Sequence, residues 1–358
     1  MTHFLRDILR QPNELQRTLE HLSADGRGAL DAAVAAVRAG RHVYLTGIGS
    51  SWHAGLNVSA LFQVGGRPVY LVDAAEMVQF AAIPAESVLI VISRSGRSVE
   101  IVQLLAKARE SGATVIGITN AADGALAREA QIAIVVPVAM DHAISVNTYT
   151  TLALAAGILA ESAGRTARNG CPSDALLAES LSGAFAAAGR AIPGWQAQIE
   201  NSLWLAPKST TYFLARGSSL GSAYEARLMW EEGVKSPATA MGAASFRHGP
   251  QEIVGKDIRF GLWLDGAKMR EQDLALARDL RKLGASVMLI GQGLPAAAAD
   301  LIFNLPEIPT PWQFLIDIIP AQLTAERLAR LSGSDPDTFR LCSFVVEDEA
   351  GLLPKTKE

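Results

Sequence analysis

Apolar and polar residues along the chain follow a pattern that predicts strands alternating with helices. The run Ser87–Ile92 is apolar after its first residue, as in a strand buried on both faces of a sheet. The stretch Val99–Arg109 then has apolar residues at helical spacing. Repeated strand–turn–helix units of this kind favour a parallel sheet with helices on both faces, which is an α/β fold.

The pattern extends over the whole chain and divides it into two similar halves. In the first half it predicts helical sequence to about Arg38, strands at His42–Thr46, Val69–Val72, Ser87–Ile92, Thr114–Ile118 and Ile132–Val138, and helices at Ser50–Phe62, Val99–Arg109 and Val146–Glu161. In the second half it predicts strands at Tyr212–Ala215, Phe260–Leu264, Ser286–Ile290 and Leu301–Leu305, and helices from Asp174 and at Ala223–Glu232, Asp273–Leu283 and Phe314–Leu331. The polar stretch Ser162–Ser173 is the predicted linker.

Short sequences in the two halves also match each other. Y-L-T-G-I-G-S-S at 44–51 matches Y-F-L-A-R-G-S-S at 212–219 in its turn, and G-A-T-V-I-G-I at 112–118 matches G-A-S-V-M-L-I at 284–290. The offsets, 168 and 172 residues, are nearly equal, which indicates a duplicated domain. We expect a first domain with its N-terminal helices at 1–165, a second domain at 174–334 and a tail at 335–358, each sheet having its own core.

Composition restricts the classes of function. The 358 residues carry a net charge of −4, whereas a protein that grips nucleic acid through its phosphates usually has a basic surplus. The chain has two cysteines, no apolar run of the ~18 residues that a membrane helix needs, and a polar N-terminus unlike a signal peptide. We therefore expect a cytoplasmic protein with neither nucleic acid nor membrane as a partner.

The most informative polar segment is Ser93-Arg94-Ser95-Gly96-Arg97-Ser98, directly after the apolar run and before a predicted helix. Ligands of open α/β sheets bind at this position, and the N–H groups at a helix start suit a phosphate. Serine and glycine let an anion approach closely. The alternative interpretation is a turn with an N-cap, since the same residue types also serve there.

Other candidates stand at comparable positions. Ser50 and Ser51 follow the first predicted strand, and Ser145 precedes the last helix of the first half, so these hydroxyls either line the same crevice or only cap helices. Glu225 and Glu232 are seven residues apart, which puts both on one helix face, either solvated or available as a general base. His248 lies in a Gly/Pro loop, where an imidazole could transfer protons.

Several sequence motifs are absent from the chain. It has no G-x-x-x-x-G-K-[ST], G-x-G-x-x-G, H-E-x-x-H or C-x-x-C element. The absence argues against nucleotide hydrolysis, a dinucleotide cofactor and a zinc site.

Three segments resemble the SIS (sugar isomerase) domain family, in particular its two-domain members: V-I-S-R-S-G-R-S at 91–98, R-G-S-S-L-G at 216–221 and F-R-H-G-P at 246–250. Those members include the isomerase module of glucosamine-6-phosphate synthase and free-standing phosphosugar isomerases and deaminases. The resemblance runs from residues 7–12 to residues 335–337. It implies two tandem SIS domains, each a mostly parallel five-stranded sheet with helices on both faces, a flavodoxin-like three-layer sandwich.

The resemblance also implies roles for individual residues. Phosphate binding falls to Ser93, Arg94, Ser95 and Ser98, with Ser50, Ser51 and Ser145 as further substrate-binding residues. Glu232 matches the glutamate that moves a proton between sugar C1 and C2. His248 matches the ring-opening histidine, which reaches the site from the partner subunit, so a homodimer with shared sites is expected. No cofactor and no metal are expected.

The chain departs from the family pattern where lysines are replaced by Asn147, Met229 and Ser343. The expected function is an isomerase or deaminase that acts on an (amino)sugar 6-phosphate through an enediol or enediolamine. The alternatives are a deglycase that splits a fructosamine phosphate and a non-catalytic phosphosugar sensor.

Overall fold

The computed structural model describes residues 1–164, 174–206 and 210–348. Its described strands form two sheets of five strands each. The strands of the first sheet are β1 (His42–Thr46), β2 (Tyr70–Leu71), β3 (Ser87–Ser93), β4 (Thr114–Thr119) and β5 (Ile132–Val135). Those of the second sheet are β6 (Thr210–Ala215), β7 (Ala238–Gly242), β8 (Ile258–Trp263), β9 (Ser286–Gly291) and β10 (Leu301–Asn304).

Helices precede, connect and follow these strands. The first half contains α1 (His3–Ser23), α2 (Arg27–Ala39), α3 (Ser50–Val64), α4 (Ala74–Gln79), α5 (Val99–Ser111), α6 (Ala125–Glu129) and α7 (Asn147–Gly164). The second half contains α8 (Asp174–Glu200), α9 (Leu220–Met229), α10 (Ala243–Phe246), α11 (Arg270–Lys282) and α12 (Phe314–Ser332), with α9 continuing into a π-helical turn at Trp230–Val234. No helix in the described ranges is long and apolar enough to cross a membrane.

Both sheets have the same strand order. The first is β2-β1-β3-β4-β5 and the second is β7-β6-β8-β9-β10, and all neighbouring strands are parallel. Every residue of β3, the central strand of the first sheet, is buried, as its continuous apolar sequence predicts. The predicted α/β fold with two parallel five-stranded sheets is confirmed.

The sequence pattern missed the short elements. Strand β7 has the sequence A-T-A-M-G, which shows neither alternation nor an apolar run, and it forms an edge of the second sheet by pairing with β6. Helices α4, α6 and α10 have four to six residues each, too few for a helical period to be recognised. Of the predicted linker Ser162–Ser173, residues 162–164 belong to α7 and the rest lie outside the described residues.

The expectation that each sheet has its own core is wrong for the largest cluster of buried residues. This cluster contains Leu61 of α3 and Ala153 of α7 together with Ala226 of α9 and Ile316 of α12. Two smaller clusters remain within single halves, one beside β8 and α11 and one beside β3 and α5. Because helices of both halves bury their apolar faces against each other, the two sheets are held in one arrangement.

The two halves approach each other closely where α3 contacts α9. A Cβ atom placed on Gly221 of α9 would lie 2.2 Å from the backbone oxygen of His53 and 2.3 Å from Oδ1 of Asn57. Asn57 Oδ1 accepts a hydrogen bond from the backbone N–H of Ser222 at 3.1 Å, and its Nδ2 donates to the Tyr149 hydroxyl at 2.7 Å. Only glycine fits at position 221 with the helices this close.

We expect Gly221→Ala to lower the free energy of unfolding by about 1–3 kcal/mol, because the added methyl group must force α3 and α9 apart. The matched control is Gly183→Ala on the exposed side of α8, where nothing lies within 4 Å of the added Cβ. There the better helix propensity of alanine should raise stability by roughly 0.5–1 kcal/mol. Urea unfolding measures both, and equal effects would contradict the close packing of α3 on α9.

Candidate functional site

A cavity of about 250 Å³ opens at the carboxyl ends of β1 and β3. Its walls include eight of the nine predicted site residues: Ser50, Ser51, Ser93, Arg94, Ser95, Ser98, Ser145 and Glu232. The ninth, His248, is exposed on the loop after α10 and is not among the residues that line this cavity. One chain therefore gathers the predicted phosphate loop and the predicted base, but not the predicted ring-opening histidine.

The loop after β3 is shaped by one glycine and two serine side chains. Gly96 has a φ of +62°, in the left-handed region that glycine adopts readily. Its N–H donates to Ser93 Oγ at 3.1 Å, and the N–H of Arg97 donates to Ser95 Oγ at 3.2 Å. Ser98 is the N-cap of α5, but its side chain makes no capping hydrogen bond. The Ser98 hydroxyl is therefore available to a ligand at the start of this helix.

The two arginines of this loop lie in different surroundings. Arg94 lines the cavity and donates to Ser145 Oγ at 3.1 Å and to the carbonyl oxygen of Phe344 at 3.3 Å. Arg97 instead forms an ion pair with Asp123 and does not line the cavity. Arg94 is thus the loop's cation at the site, where it can balance the charge of a bound anion.

The start of α3 is tied to the second half of the chain through Glu225. The carboxylate of Glu225, on α9, accepts a hydrogen bond from Ser50 Oγ at 3.0 Å and lies 2.7 Å from His53 Nδ1. Glu225 is fully buried and His53 nearly so. The sequence predicted a shared helix face for Glu225 and Glu232. It gave no signal for the contacts of Glu225 with Ser50 and His53, which lie 175 and 172 positions earlier in the chain.

Glu232 lies on the π-helical turn that follows α9. Burial, reinforced by the nearby carboxylate of Glu225, raises its pKa to about 8, while Arg94 acts in the opposite direction. A carboxyl group with such a pKa can hold or release a proton near neutral pH, as a general acid–base group must. Turns of π-helix are frequent at functional sites, and this one positions Glu232 at the cavity.

The C-terminal tail contributes a wall that the sequence pattern did not predict. Six of its residues line the cavity: Phe339, Cys342, Ser343, Phe344, Val345 and Val346. The carbonyl oxygen of Val346 accepts from the N–H of Val99 at 3.0 Å, at the start of α5. At the other end of the tail, the Asp337 carboxylate accepts from the N–H groups of His3 and Phe4. Irregular segments have no periodicity, so the hydrophobic pattern could not reveal this contribution, and the family resemblance pointed only to Ser343.

The family model described as SIS domain matches residues 37–160, which include the loop after β3 and the start of α3. This part of the chain matches the SIS domain. The predicted resemblance is therefore confirmed, and the strand order repeated in the second half is consistent with a second, more divergent copy.

Curated relatives are glutamine–fructose-6-phosphate aminotransferases. That of Aeropyrum pernix is 30% identical over 94% of this chain and 56% of its own length, and that of Sulfolobus acidocaldarius is 25% identical over 94% of this chain and 55% of its own length. The chain thus spans slightly more than half the length of these relatives.

Solved structures share the fold at lower sequence identity. The C-terminal domain of the Francisella tularensis glucosamine-fructose-6-phosphate aminotransferase matches with a TM-score of 0.85 and 21% identity over 94% of this chain and 97% of that one. The Thermotoga maritima glucosamine-6-phosphate deaminase has a TM-score of 0.79, 22% identity and coverage of 96% and 99%. The Escherichia coli tagatose-6-phosphate ketose/aldose isomerase has a TM-score of 0.79, 22% identity and coverage of 94% and 95%.

The three departures from the SIS pattern lie in different surroundings. Asn147 is buried at the start of α7, where its Nδ2 donates to the Asp141 carboxylate at 2.8 Å and to the backbone oxygen of Asp7 at 3.0 Å. Met229 is buried in the shared core. Only Ser343 lines the cavity, and its hydroxyl donates to the carbonyl oxygen of Val345 at 2.7 Å. Asn147 and Met229 therefore stabilise the fold around the SIS site without lining its cavity.

At the corresponding end of the second sheet, charged side chains of the protein pair with each other. Asp273 accepts from Arg216 Nε at 2.8 Å and from the N–H of Asp265 at 3.1 Å. Residues 217–221 have G-x-S-x-G spacing, which also occurs around the nucleophile of serine hydrolases. Here Ser219 donates to buried Asp317 at 2.6 Å, and no histidine hydrogen-bonds to it within the described part of the chain. The arrangement therefore lacks the base that a serine nucleophile needs.

The described residues contain no group of His, Cys, Asp or Glu side chains that could hold a metal ion. The chemical groups that the cavity offers a ligand include hydroxyls, the Arg94 guanidinium, the Cys342 thiol and the carboxyl groups of Glu100 and Glu232, with N–H groups at the start of α5 beside them.

The raised pKa of Glu232 has a consequence for stability. Since the unfolded chain loses this proton near pH 4.5 and the folded chain near pH 8, stability should fall as pH rises through that window. Glu232→Gln removes the effect, so its stability gain over the wild type should grow by up to about 1.4 kcal/mol per pH unit from pH 5 to 8 and then level off. Glu110→Gln, at an exposed position of α5, is the control in urea unfolding. A pH-independent difference for Glu232→Gln would contradict the raised pKa.

Proposed function

We propose that this chain is an isomerase or deaminase that acts on an (amino)sugar 6-phosphate through an enediol or enediolamine. The observation that supports it most is the meeting of two features in one cavity: a Ser/Arg loop at a helix N-terminus, and Glu232 with a pKa of about 8. The first suits a phosphate group and the second suits proton transfer at carbon.

The phosphate is bound by the loop after β3 in this proposal. Ser93, Ser95 and Ser98 donate hydroxyl hydrogens, the first turn of α5 supplies its positive dipole end, and Arg94 supplies a full charge. Because the loop ends a buried strand and opens a helix, its position relative to Glu232 is fixed before the ligand arrives. Fixing the reacting carbon against a carboxylate contributes to the acceleration.

Proton transfer at carbon falls to Glu232. In the open-chain sugar phosphate, the ionised carboxylate removes the hydrogen from the carbon beside the carbonyl group and returns it to the neighbouring carbon. The low polarity that raises the pKa of Glu232 also makes its anion a stronger base than an exposed glutamate.

In this proposal, His248 of a second copy of the chain opens the sugar ring. The support is that His248 is exposed and does not line the cavity of its own chain, whereas the other eight predicted residues do. The proposal therefore includes a homodimer in which each cavity is completed by the partner.

A second cavity favours one alternative substrate class. It has a volume of about 500 Å³ and shares Leu228, Glu232, Phe339 and Cys342 with the first. Its walls carry two cations, Lys235 and Arg340, beside the carboxyl groups of Glu231 and Glu232, so a carboxylate would bind at the cationic part. This space suits a carboxylate-bearing substituent, as in a phosphorylated fructose–amino-acid adduct. Amino-acid release from such an adduct, compared with ammonia release from glucosamine 6-phosphate, distinguishes a deglycase from a deaminase.

We expect Glu232→Gln to reduce kcat by about 10²–10⁴-fold, because the amide cannot accept the carbon-bound proton. Binding of the sugar phosphate should be retained, since the phosphate loop is unchanged. Turnover is measured by isomer or ammonia release, and binding is measured by the shift in Tm with ligand concentration. Full activity in this variant would exclude Glu232 as the base. Tight binding with no turnover in the wild type would instead indicate a sensor.

The shared site can be tested by mixing two inactive variants. Glu232→Gln and His248→Ala homodimers should each be inactive, while a mixed dimer regains one intact site. After subunit exchange, random pairing should restore about one quarter of wild-type activity. A mixture of two variants of the same residue is the control. If the mixture stays inactive after subunit exchange has been confirmed, His248 does not act across subunits.

A further inference from the structure

A group of three hydrogen-bonded polar side chains, two of them buried, extends inward from the cavity wall. Ser50 Oγ donates to Glu225 Oε1 at 3.0 Å, and His53 Nδ1 lies 2.7 Å from Glu225 Oε2. Glu225 is 0% exposed and His53 is 3% exposed. A carboxylate buried so completely costs stability unless its oxygens are hydrogen-bonded, and here both oxygens have a partner.

Ser50 is the member of this group that lines the cavity, together with Glu232. Because its hydrogen is directed to Glu225, the lone pairs of its oxygen are left to accept a hydrogen bond. A sugar hydroxyl in the cavity can donate that bond. Ser50 thus connects the interior of the cavity to a carboxylate that does not itself line it.

The proposed reaction needs more than one kind of proton transfer. When an aldose becomes a ketose through an enediol, one hydrogen moves between carbons, and one proton leaves the hydroxyl oxygen O2 while one arrives at O1. In the proposed function, Glu232 transfers the hydrogen between the two carbons. Apart from Glu232, the cavity's ionisable side chains are Arg94, Glu100 and Cys342, and Glu100 lies in the first turn of α5, at the phosphate end.

We propose that Ser50, Glu225 and His53 form a proton relay for the oxygen atoms of the sugar. Ser50 Oγ takes the proton of the substrate hydroxyl as it gives its own proton to Glu225 Oε1. The reverse movement delivers a proton to O1, so the substrate is isomerised without an oxidant or reductant. The inference rests on the proposed isomerase function and adds a second acid–base group to it.

His53 and Glu225 act through Ser50 and are positioning residues in this scheme. The scheme uses an ionised Glu225 carboxylate, which can only accept hydrogen bonds, and it therefore places the hydrogen of the 2.7 Å contact on Nδ1 of His53. That bond fixes the Oε1 atom of Glu225 towards Ser50 and persists when Oε1 is protonated. The relay joins the two halves, since Ser50 and His53 belong to α3 and Glu225 belongs to α9.

The relay is tested by comparing two rates in D2O, using the sugar 6-phosphate that the wild type converts. One rate is deuterium incorporation into recovered substrate, which reports proton transfer at carbon. The other is product formation, which also requires transfer at oxygen. In Ser50→Ala and Glu225→Gln, the ratio of exchange to product formation should rise at least about tenfold, because the enediolate returns to substrate. Ser50→Thr keeps the hydroxyl and should keep the wild-type ratio.

Each outcome is decisive. If Ser50→Ala and Glu225→Gln lower both rates equally, these residues are structural and the relay is wrong. A raised ratio in Glu100→Gln, with an unchanged one in Glu225→Gln, also overturns it. If the wild type shows neither exchange nor conversion, the proposed function fails and the relay fails with it. If Glu225→Gln does not fold, the ratio measured for Ser50→Ala alone tests the relay, because this variant leaves the Glu225–His53 contact in place.

Discussion

The contact between α3 and α9 is the constraint on which the rest of the structure depends. Gly221 lets the two helices approach so closely that its missing Cβ would lie 2.2 Å from the His53 carbonyl oxygen. This approach brings the Glu225 carboxylate to Ser50 and His53, and it carries the turn with Glu232 to the loop after β3. The cavity is therefore a product of both halves of the chain, although the SIS family model matches only the first.

Burial at this junction also sets the chemistry of the cavity. Burial raises the pKa of Glu232, and repulsion by the Glu225 carboxylate, seven residues earlier on the same helical segment, raises it further. Arg94 opposes both effects from the loop after β3. The acid–base properties of the site thus depend in part on Arg94, which is remote from Glu232 in sequence.

Regular elements and loop motifs could be predicted from the sequence, because they depend on local pattern. Strand β3 is recognisable from its continuous apolar run, and the Ser93–Ser98 loop from its position after that strand. The tail at Phe344, the edge strand β7 and the Glu225–His53 contact could not be predicted. The tail is irregular, β7 has no distinctive pattern, and residues 53 and 225 meet only through the packing of the two halves.

The ion pair of the second sheet has a consequence for the symmetry of the molecule. Beside the end of β6, Arg216 and Asp273 pair with each other, and the N–H of Asp265 donates to the same carboxylate. Beyond the end of β3, by contrast, Arg94 and Ser98 line a cavity. The two sheets are thus related in strand order but not in the polar groups at their carboxyl ends, and the pseudo-symmetry of the fold stops at the loops.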